Sequence, residues 1–362
     1  MTNALDLFAN PGAAPAGPTH TEHHRFPLPP ETRAFRPSYD RYGRYSLPHP
    51  ETGAVDGFTR VTTGAKTLDD TTKLEAWKTK SIVRGLKTNP HLLENIDLYA
   101  DPVEVDKDLL KVADDAHVAA GGVWASEFGT AIHAWLEALE LEAVTWDQVP
   151  DQFKPFCQVY GEQLAKWGIF SATDTNGDPL IERIVWNPDT NWIGTLDRIY
   201  MLADGRLVIG DIKTAKDLAF SALAISVQLF DYHGATHMLS LDGTTWLPMP
   251  QTDPDYAVVA WVPSNADPAK CEMVTINLKA GRLAAEAAVR IREMRSAAKA
   301  AILNSHPIPR PEDQPKTLDS LRTLIRTCTS RQQLAEVYAA YSHAWTDELT
   351  ELGNQVLAKV GG

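Results

Sequence analysis

One stretch constrains this chain more than any other: "WIGTLDRIYMLADGRLVIGDIKTA", residues 192–215. Two apolar runs flank Ala203-Asp204-Gly205, a turn sequence, so the pattern predicts two antiparallel strands. A three-residue loop there pairs Leu202 with Arg206 and sets Asp197 directly across from Asp211, with Cβ atoms about 4.5–5.5 Å apart. Like charges so placed repel each other unless a cation sits between them. Lys213, two residues beyond Asp211, points to the same face of its strand. Two carboxylates and an amine on one face suit a hard divalent ion, which takes oxygen ligands, polarises a phosphate and lowers the pKa of a bound water. The amine can orient that water or neutralise charge on phosphoryl oxygens. An ordinary surface ion pair between Asp211 and Lys213 is the competing reading, because D-x-K arises by chance in most long chains.

The surrounding sequence predicts a mixed α/β core. Upstream, "SEFGTAIHAWLEALELEA" predicts a helix that Ser126 can cap. Its apolar face carries Phe128, Ile132, Trp135, Leu136 and Leu139, with His133 at the edge. A second helix is expected over about 151–168. "LIERIVW" predicts a strand that carries Glu182 and folds back through "NPDTN" toward the Asp197 strand. After the hairpin, a long helix is expected from about Asp217 to Leu239, and Gln228 and Tyr232 share one of its faces. "DYAVVAWVP" and "EMVTINL" read as two more strands, followed by a helix from about Lys279 to Leu303. Residues 1–57, rich in Pro, Gly, His and Arg, read as a flexible tail and an irregular arm. "FTRVTT" (58–63) predicts a short strand, and a helix from about Asp70 carries Leu74, Trp77, Ile82 and Leu86 before stopping at Asn89-Pro90. "SHPIPRPEDQP" reads as a linker, and about 317–360 as two or three short amphipathic helices. The domains expected are 1–57, 58–305 and 306–362.

Composition narrows the function classes. With 44% hydrophobic residues and no long apolar run, the sequence predicts a globular protein with no membrane span and no secretory leader. Cys157, Cys271 and Cys328 are far apart and form no CxxC, which argues against a disulfide framework or zinc site and points to a reducing, cytoplasmic setting. No GxxxxGK[ST] spacing exists, so "TTGAKT" is not a phosphate loop. Net charge is -13, unfavourable for nucleic acid, but it is unevenly spread. Lys and Arg exceed Asp and Glu by four over residues 21–90 and fall short by fourteen over residues 91–190.

Taken in order, "GTAIH", Glu182, "GTLDRI", "GDIKT" and "QLFDY" resemble the PD-(D/E)XK nuclease superfamily in its RecB-like exonuclease branch. The resemblance is to phage-encoded members and to CRISPR-associated RecB-like exonucleases, and it covers about residues 125–240. It implies a restriction-endonuclease-like core and a Mg²⁺- or Mn²⁺-dependent DNA exonuclease, acting in phage recombination or DNA processing, with a recombination or single-strand annealing protein as a possible partner. It further implies that His133, Asp197, Asp211 and the Ile212 carbonyl hold the metal, that Glu182 supports it, and that Lys213 assists the attacking water. Gln228 and Tyr232 match a QxxxY motif that positions DNA and the lysine. Leu196 stands where the superfamily name has proline, as the GxxD of this branch allows, and the cysteines of an iron–sulfur cluster are missing, so no cluster is expected. A structure-specific endonuclease on the same core and a catalytically silent DNA-binding or assembly subunit are the alternatives. Candidate phosphate contacts are Arg60, Lys66, Lys78, Lys80 and Arg84, with the helix around Arg290, Arg292 and Arg295 as the alternative groove.

Overall fold

The structure, a computed structural model, describes residues 25–94, 96–298 and 317–360. Residues 1–24 of the expected tail and arm, the end of the helix expected to reach Leu303, and the Pro-rich linker "SHPIPRPEDQP" lie outside the described residues. The chain divides into two compact units between Ser296 and Ala297, nine residues before the boundary expected from sequence.

The first unit is a mixed α/β structure built on an eleven-stranded sheet. The strands are β1 (Ser38–Tyr39), β2 (Tyr45–Pro48), β3 (Val55–Arg60), β4 (Phe170–Ser171), β5 (Ile181–Asn187), β6 (Trp192–Met201), β7 (Leu207–Lys213), β8 (His237–Leu239), β9 (Trp246–Pro248), β10 (Tyr256–Trp261) and β11 (Glu272–Asn277). Its helices are α1 (Val61–Ala65), α2 (Thr72–Thr88), α3 (Pro102–Ala119), α4 (Trp124–Glu140), α5 (Lys154–Trp167), α6 (Ala222–His233) and α7 (Leu278–Ala297). β6 and β7 form the expected hairpin, with Arg198 paired to Gly210 and Met201 to Leu207. β7 then crosses over through α6 to run parallel to β10.

Helices cover both faces of the sheet. Phe128, Ile132, Trp135 and Leu136 of α4 pack with Phe153 and Tyr160 and with Ile212 and Ala260 of the sheet. Ile225, Val227, Leu229 and Tyr232 of α6 pack with Leu196, Ile199, Ile209 and Val259. Each such fully buried side chain contributes about 1.5–3 kcal/mol, so the two layers fix β6 and β7 firmly between them.

The structure corrects several expectations. Residues 25–57 are not wholly irregular, because β1 and β2 form a hairpin that adds to β3 and extends the sheet. The strand predicted over 58–63 runs instead from Val55 to Arg60, and Val61 starts α1, whose Val61 and Ala65 are buried. Ser126 does not cap α4, since the helix begins at Trp124 and the Ser126 hydroxyl donates to the Val123 carbonyl within the first turn. Leu74 and Trp77 are exposed on α2, whose buried residues are Ser81 and Gly85. Gly85 lies against the Ala116 backbone so closely that a Cβ has no room, so α2 crosses α3 almost backbone to backbone. The long helix after β7 is shorter than expected. It stops at His233, and the apolar "HML" that follows is β8, paired to β5 through Met238 and His237.

The second unit contains α8 (Leu318–Thr327), α9 (Arg331–Tyr341) and α10 (Asp347–Val360) around Leu321, Ile325, Leu334, Leu349 and Val356. All three cysteines are free and buried. Among the described residues, no helix is long and apolar enough to cross a membrane.

Candidate active site

The site lies at a fork in the sheet. One edge of β6 carries β7 alongside residues 198–201 and β3 alongside residues 192–193. Between them β7 peels away, and the Asp197 carboxylate fills the gap by accepting the Ile212 amide at 2.9 Å. The β6–β7 ladder ends at the Arg198–Gly210 pair, and its register, extended by one step, sets Asp197 opposite Asp211 as the turn sequence predicts. On the other edge, Ile181 pairs with Arg198 and Arg183 with Leu196, so Glu182 stands opposite Asp197. Glu182, Asp197 and Asp211 therefore form one row across three strands. Glu182 has φ +51°, a left-handed conformation that costs a non-glycine residue of order 1 kcal/mol.

Cations and hydrogen bonds compensate the row unevenly. Lys213 Nζ donates to Asp211 Oδ1 at 2.8 Å and to Gln228 Oε1 at 3.4 Å. Gln228 Nε2 donates to the Tyr232 hydroxyl at 3.3 Å, and that hydroxyl donates to the Thr195 carbonyl at 2.7 Å. The two residues of the QxxxY spacing thus link the lysine back to β6, two positions before Asp197. Asp211 Oδ2 lies 2.6 Å from Nζ, so the ammonium sits against both oxygens of this buried carboxylate. His133 Nδ1 on α4 is 3.8 Å from Asp197 Oδ2.

Electrostatics follow from this placement. Burial drives the His133 imidazole down to about 4, against the pull of Asp197, so the ring is neutral at neutral pH and can act as a ligand. Burial pushes the Asp197 carboxyl up, but His133, Lys213, Arg198 and the Ile212 amide outweigh it and hold it below the usual range. Burial raises Asp211 to about 7, with Lys213 opposing and Asp197 adding to the rise. For Lys213, burial lowers the pKa, and Asp211 and Asp197 more than restore it, so the amine is an ammonium. Burial carries Glu182 to about 8, with Arg33 opposing and Asp197 adding to the rise.

Two motif glycines are explained by close approach. A Cβ on Gly194 would lie 2.6 Å from the Tyr232 ring and 2.8 Å from Val61. A Cβ on Gly129 would collide with the Thr214 hydroxyl, so α4 can pack this close to the end of β7 only with glycine there.

The structure thus brings together His133, Glu182, Asp197, Asp211, Ile212, Lys213, Gln228 and Tyr232. Ile212 touches the row through its amide. Among the described residues, no three His, Cys, Asp or Glu side chains converge as a closed metal-holding group. The donor chemistry still fits a hard divalent cation: two neighbouring carboxylates, Asp197 and Asp211, beside a neutral imidazole.

The basic candidates are more dispersed. Arg60 ends β3 with its guanidinium 5.7 Å from the Tyr39 ring centroid, and Lys66, Lys80 and Arg84 are exposed. Lys78 pairs with Asp114 of α3 at 3.4 Å, which weakens it as a phosphate contact. Two side chains at the site escape the sequence reading. Arg33 NH2 is 2.5 Å from Glu182 Oε2 and 3.7 Å from Glu137 Oε2, and Thr32 donates to Glu137 Oε1 at 2.5 Å. Glu137 follows His133 by one helical turn, a spacing that could have disclosed it, whereas Arg33 sits in a segment without periodicity. Compared with known proteins, the chain matches no family model and no curated protein.

Proposed function

We propose that this chain is a divalent-metal-dependent deoxyribonuclease with a restriction-endonuclease-like core, acting as an exonuclease. The observation that carries the reading is Lys213, bonded to Asp211 and Gln228 on a strand where Asp211 faces Asp197. Asp197, Asp211, His133 and the Ile212 carbonyl would hold Mg²⁺ or Mn²⁺, with Glu182 as a further support. The ion, when bound, supplies Lewis-acid polarisation of the phosphate and acidifies its water. Lys213 enters as an ammonium, so it holds the attacking water and offsets negative charge on the phosphoryl oxygens rather than removing a proton. Gln228 and Tyr232 keep that ammonium aimed at the fork. The crowding of Glu182 and Asp211 against Asp197 disfavours a silent assembly subunit, since mutual repulsion of buried carboxylates costs stability that a purely structural role does not require.

The test uses linear DNA labelled at either end and circular DNA, with Mg²⁺, with Mn²⁺ or with EDTA. Release of labelled mononucleotides or short products from linear DNA, abolished by EDTA and restored by metal, is expected. Equal cutting of circles identifies an endonuclease instead. Undiminished cutting in EDTA rules out the metal-site reading, and intact DNA throughout rules out a nuclease.

A further inference from the structure

Beside the fork is a cavity of about 300 Å³ that the reaction described above does not use. It is lined by Phe35 and Tyr39 of the N-terminal arm and by Leu241, after β8. The floor is Glu182 and Glu137 with the Arg33 guanidinium between them. The walls are fixed: the Phe35 ring rests against Gly243 so closely that a Cβ there has no room, and the Tyr39 and Tyr45 rings lie 5.1 Å apart. Tyr45 in turn bonds the Thr195 hydroxyl at 2.9 Å, two residues before Asp197. Because Glu182 belongs both to this floor and to the carboxylate row, whatever fills the cavity lies next to the reacting phosphate.

Charge and size restrict the occupant. The Arg33 guanidinium is already held between Glu182 and Glu137, so the floor offers a phosphate no unpaired cation and favours a neutral group. The floor offers the donor fork of Arg33 together with carboxylate acceptors, which suits the edge of a base. Aromatic rings at the wall suit its face. The volume is at the small end of ligand pockets, about 300–1,000 Å³, with room for one nucleoside and too little for a base pair.

We propose that this cavity is a subsite for one unstacked nucleoside of the DNA strand, adjacent to the scissile phosphate and built by the N-terminal arm. The proposal rests on the nuclease reading and deepens it. Taking a base out of a duplex interior costs a few kcal/mol, and the cost is least at an end or in a single strand. The subsite therefore favours ends over duplex interiors.

The test compares linear oligonucleotides in Mg²⁺ whose two terminal residues, at the 5′ or the 3′ end, are either normal or abasic tetrahydrofuran residues. The intact protein should remove normal ends at least about tenfold faster than abasic ends, as for loss of one stacked base. Leu241→Trp places bulk at the exposed lip of the cavity. It should slow cutting of normal ends and leave abasic ends at their original rate, which also reports a folded site. Equal rates on normal and abasic ends with the unaltered protein would overturn the subsite while leaving the nuclease reading standing. Undiminished discrimination in Leu241→Trp would overturn it too. No cleavage of any DNA in Mg²⁺ or Mn²⁺ removes the nuclease reading, and the subsite with it.

Discussion

On the nuclease reading, Asp211 and Lys213 are held at a cost to the fold. Asp211 is fully buried, is repelled by the Asp197 carboxylate and is compensated by the Lys213 ammonium. Asp211→Asn with Lys213→Met removes the charged pair together and strands no ammonium, so the metal-free protein is expected to melt no lower than the unaltered one while losing DNA cleavage. A lower melting temperature would mean that the pair is held for the fold. Lys213→Ala is expected to reduce turnover by about 10²-fold or more, the effect of removing an electrostatic catalytic group, and full turnover would return the pair to an ordinary ion pair. The sequence disclosed these two side chains because strand alternation and one turn sequence are local rules. Arg33 obeys no such rule, since only tertiary folding brings it to Glu182 from 149 positions away. The positive φ of Glu182 was equally illegible, being imposed by the ladder on both sides of it.

Elements were read well where one short-range signal dominated and poorly where packing decided. The β6–β7 register follows from Ala203-Asp204-Gly205, and the Leu202 amide donates to the Arg206 carbonyl at 2.9 Å as that loop requires. The end of α6 did not follow, because the apolar residues after His233 continue the helical pattern, while pairing with β5 takes them into β8. β1 and β2 are strands only because β3 pairs with β2. α6 is also tied to the β5–β6 turn by Asp231, which accepts from the Thr190 hydroxyl at 2.6 Å and from Asn187 Nδ2 at 3.3 Å. Burial, opposed by these two hydrogen bonds, raises Asp231 to about 8 from 3.8. The folded state therefore holds this proton more tightly than the unfolded chain, so the stability it contributes is complete below about pH 4 and is lost as pH rises toward about 8. Asp231→Asn should flatten that part of the melting-temperature profile, gaining on the unaltered protein with rising pH, and parallel profiles would show that Asp231 does not titrate there. Gly194→Ala tests the packing of α6 on β6. Overpacking against Tyr232 is expected to cost about 1–3 kcal/mol in a denaturant titration and to reduce cleavage by shifting the Gln228–Lys213 link. An unchanged midpoint would show that the contact has slack.

At the scale of the molecule, the proposed activity requires a chain of net charge -13 to take a polyanion. Charge is segregated: the acidic excess of residues 91–190 includes α3, whereas α2 carries Lys73, Lys78, Lys80, Arg84 and Lys87 against one acid, Glu75. Contacts from such residues to phosphates release counterions and carry no sequence information, so binding is expected to be non-specific and to weaken steeply with salt. The structure separates the candidates. Lys78 is already paired with Asp114, while Lys66, Lys80 and Arg84 are exposed and form no ion pair among the described residues. The alternative groove is not independent of these, because Arg292 of α7 donates to the Thr59 hydroxyl at 3.3 Å, beside Arg60. Of the first set, this contact brings Arg60 alone next to α7. With Ca²⁺ in place of Mg²⁺ to prevent cutting, replacing Lys66, Lys80 and Arg84 by Ala should flatten the slope of log affinity against log salt by roughly two to three. Lys78→Ala alone should change it by less than the one unit of a free lysine, because the partner Asp114 already offsets its charge. An unchanged slope in the triple variant, together with a flattened one after replacement of Arg290 and Arg295, would assign the phosphate contacts to α7 and leave α2 as a solvated face.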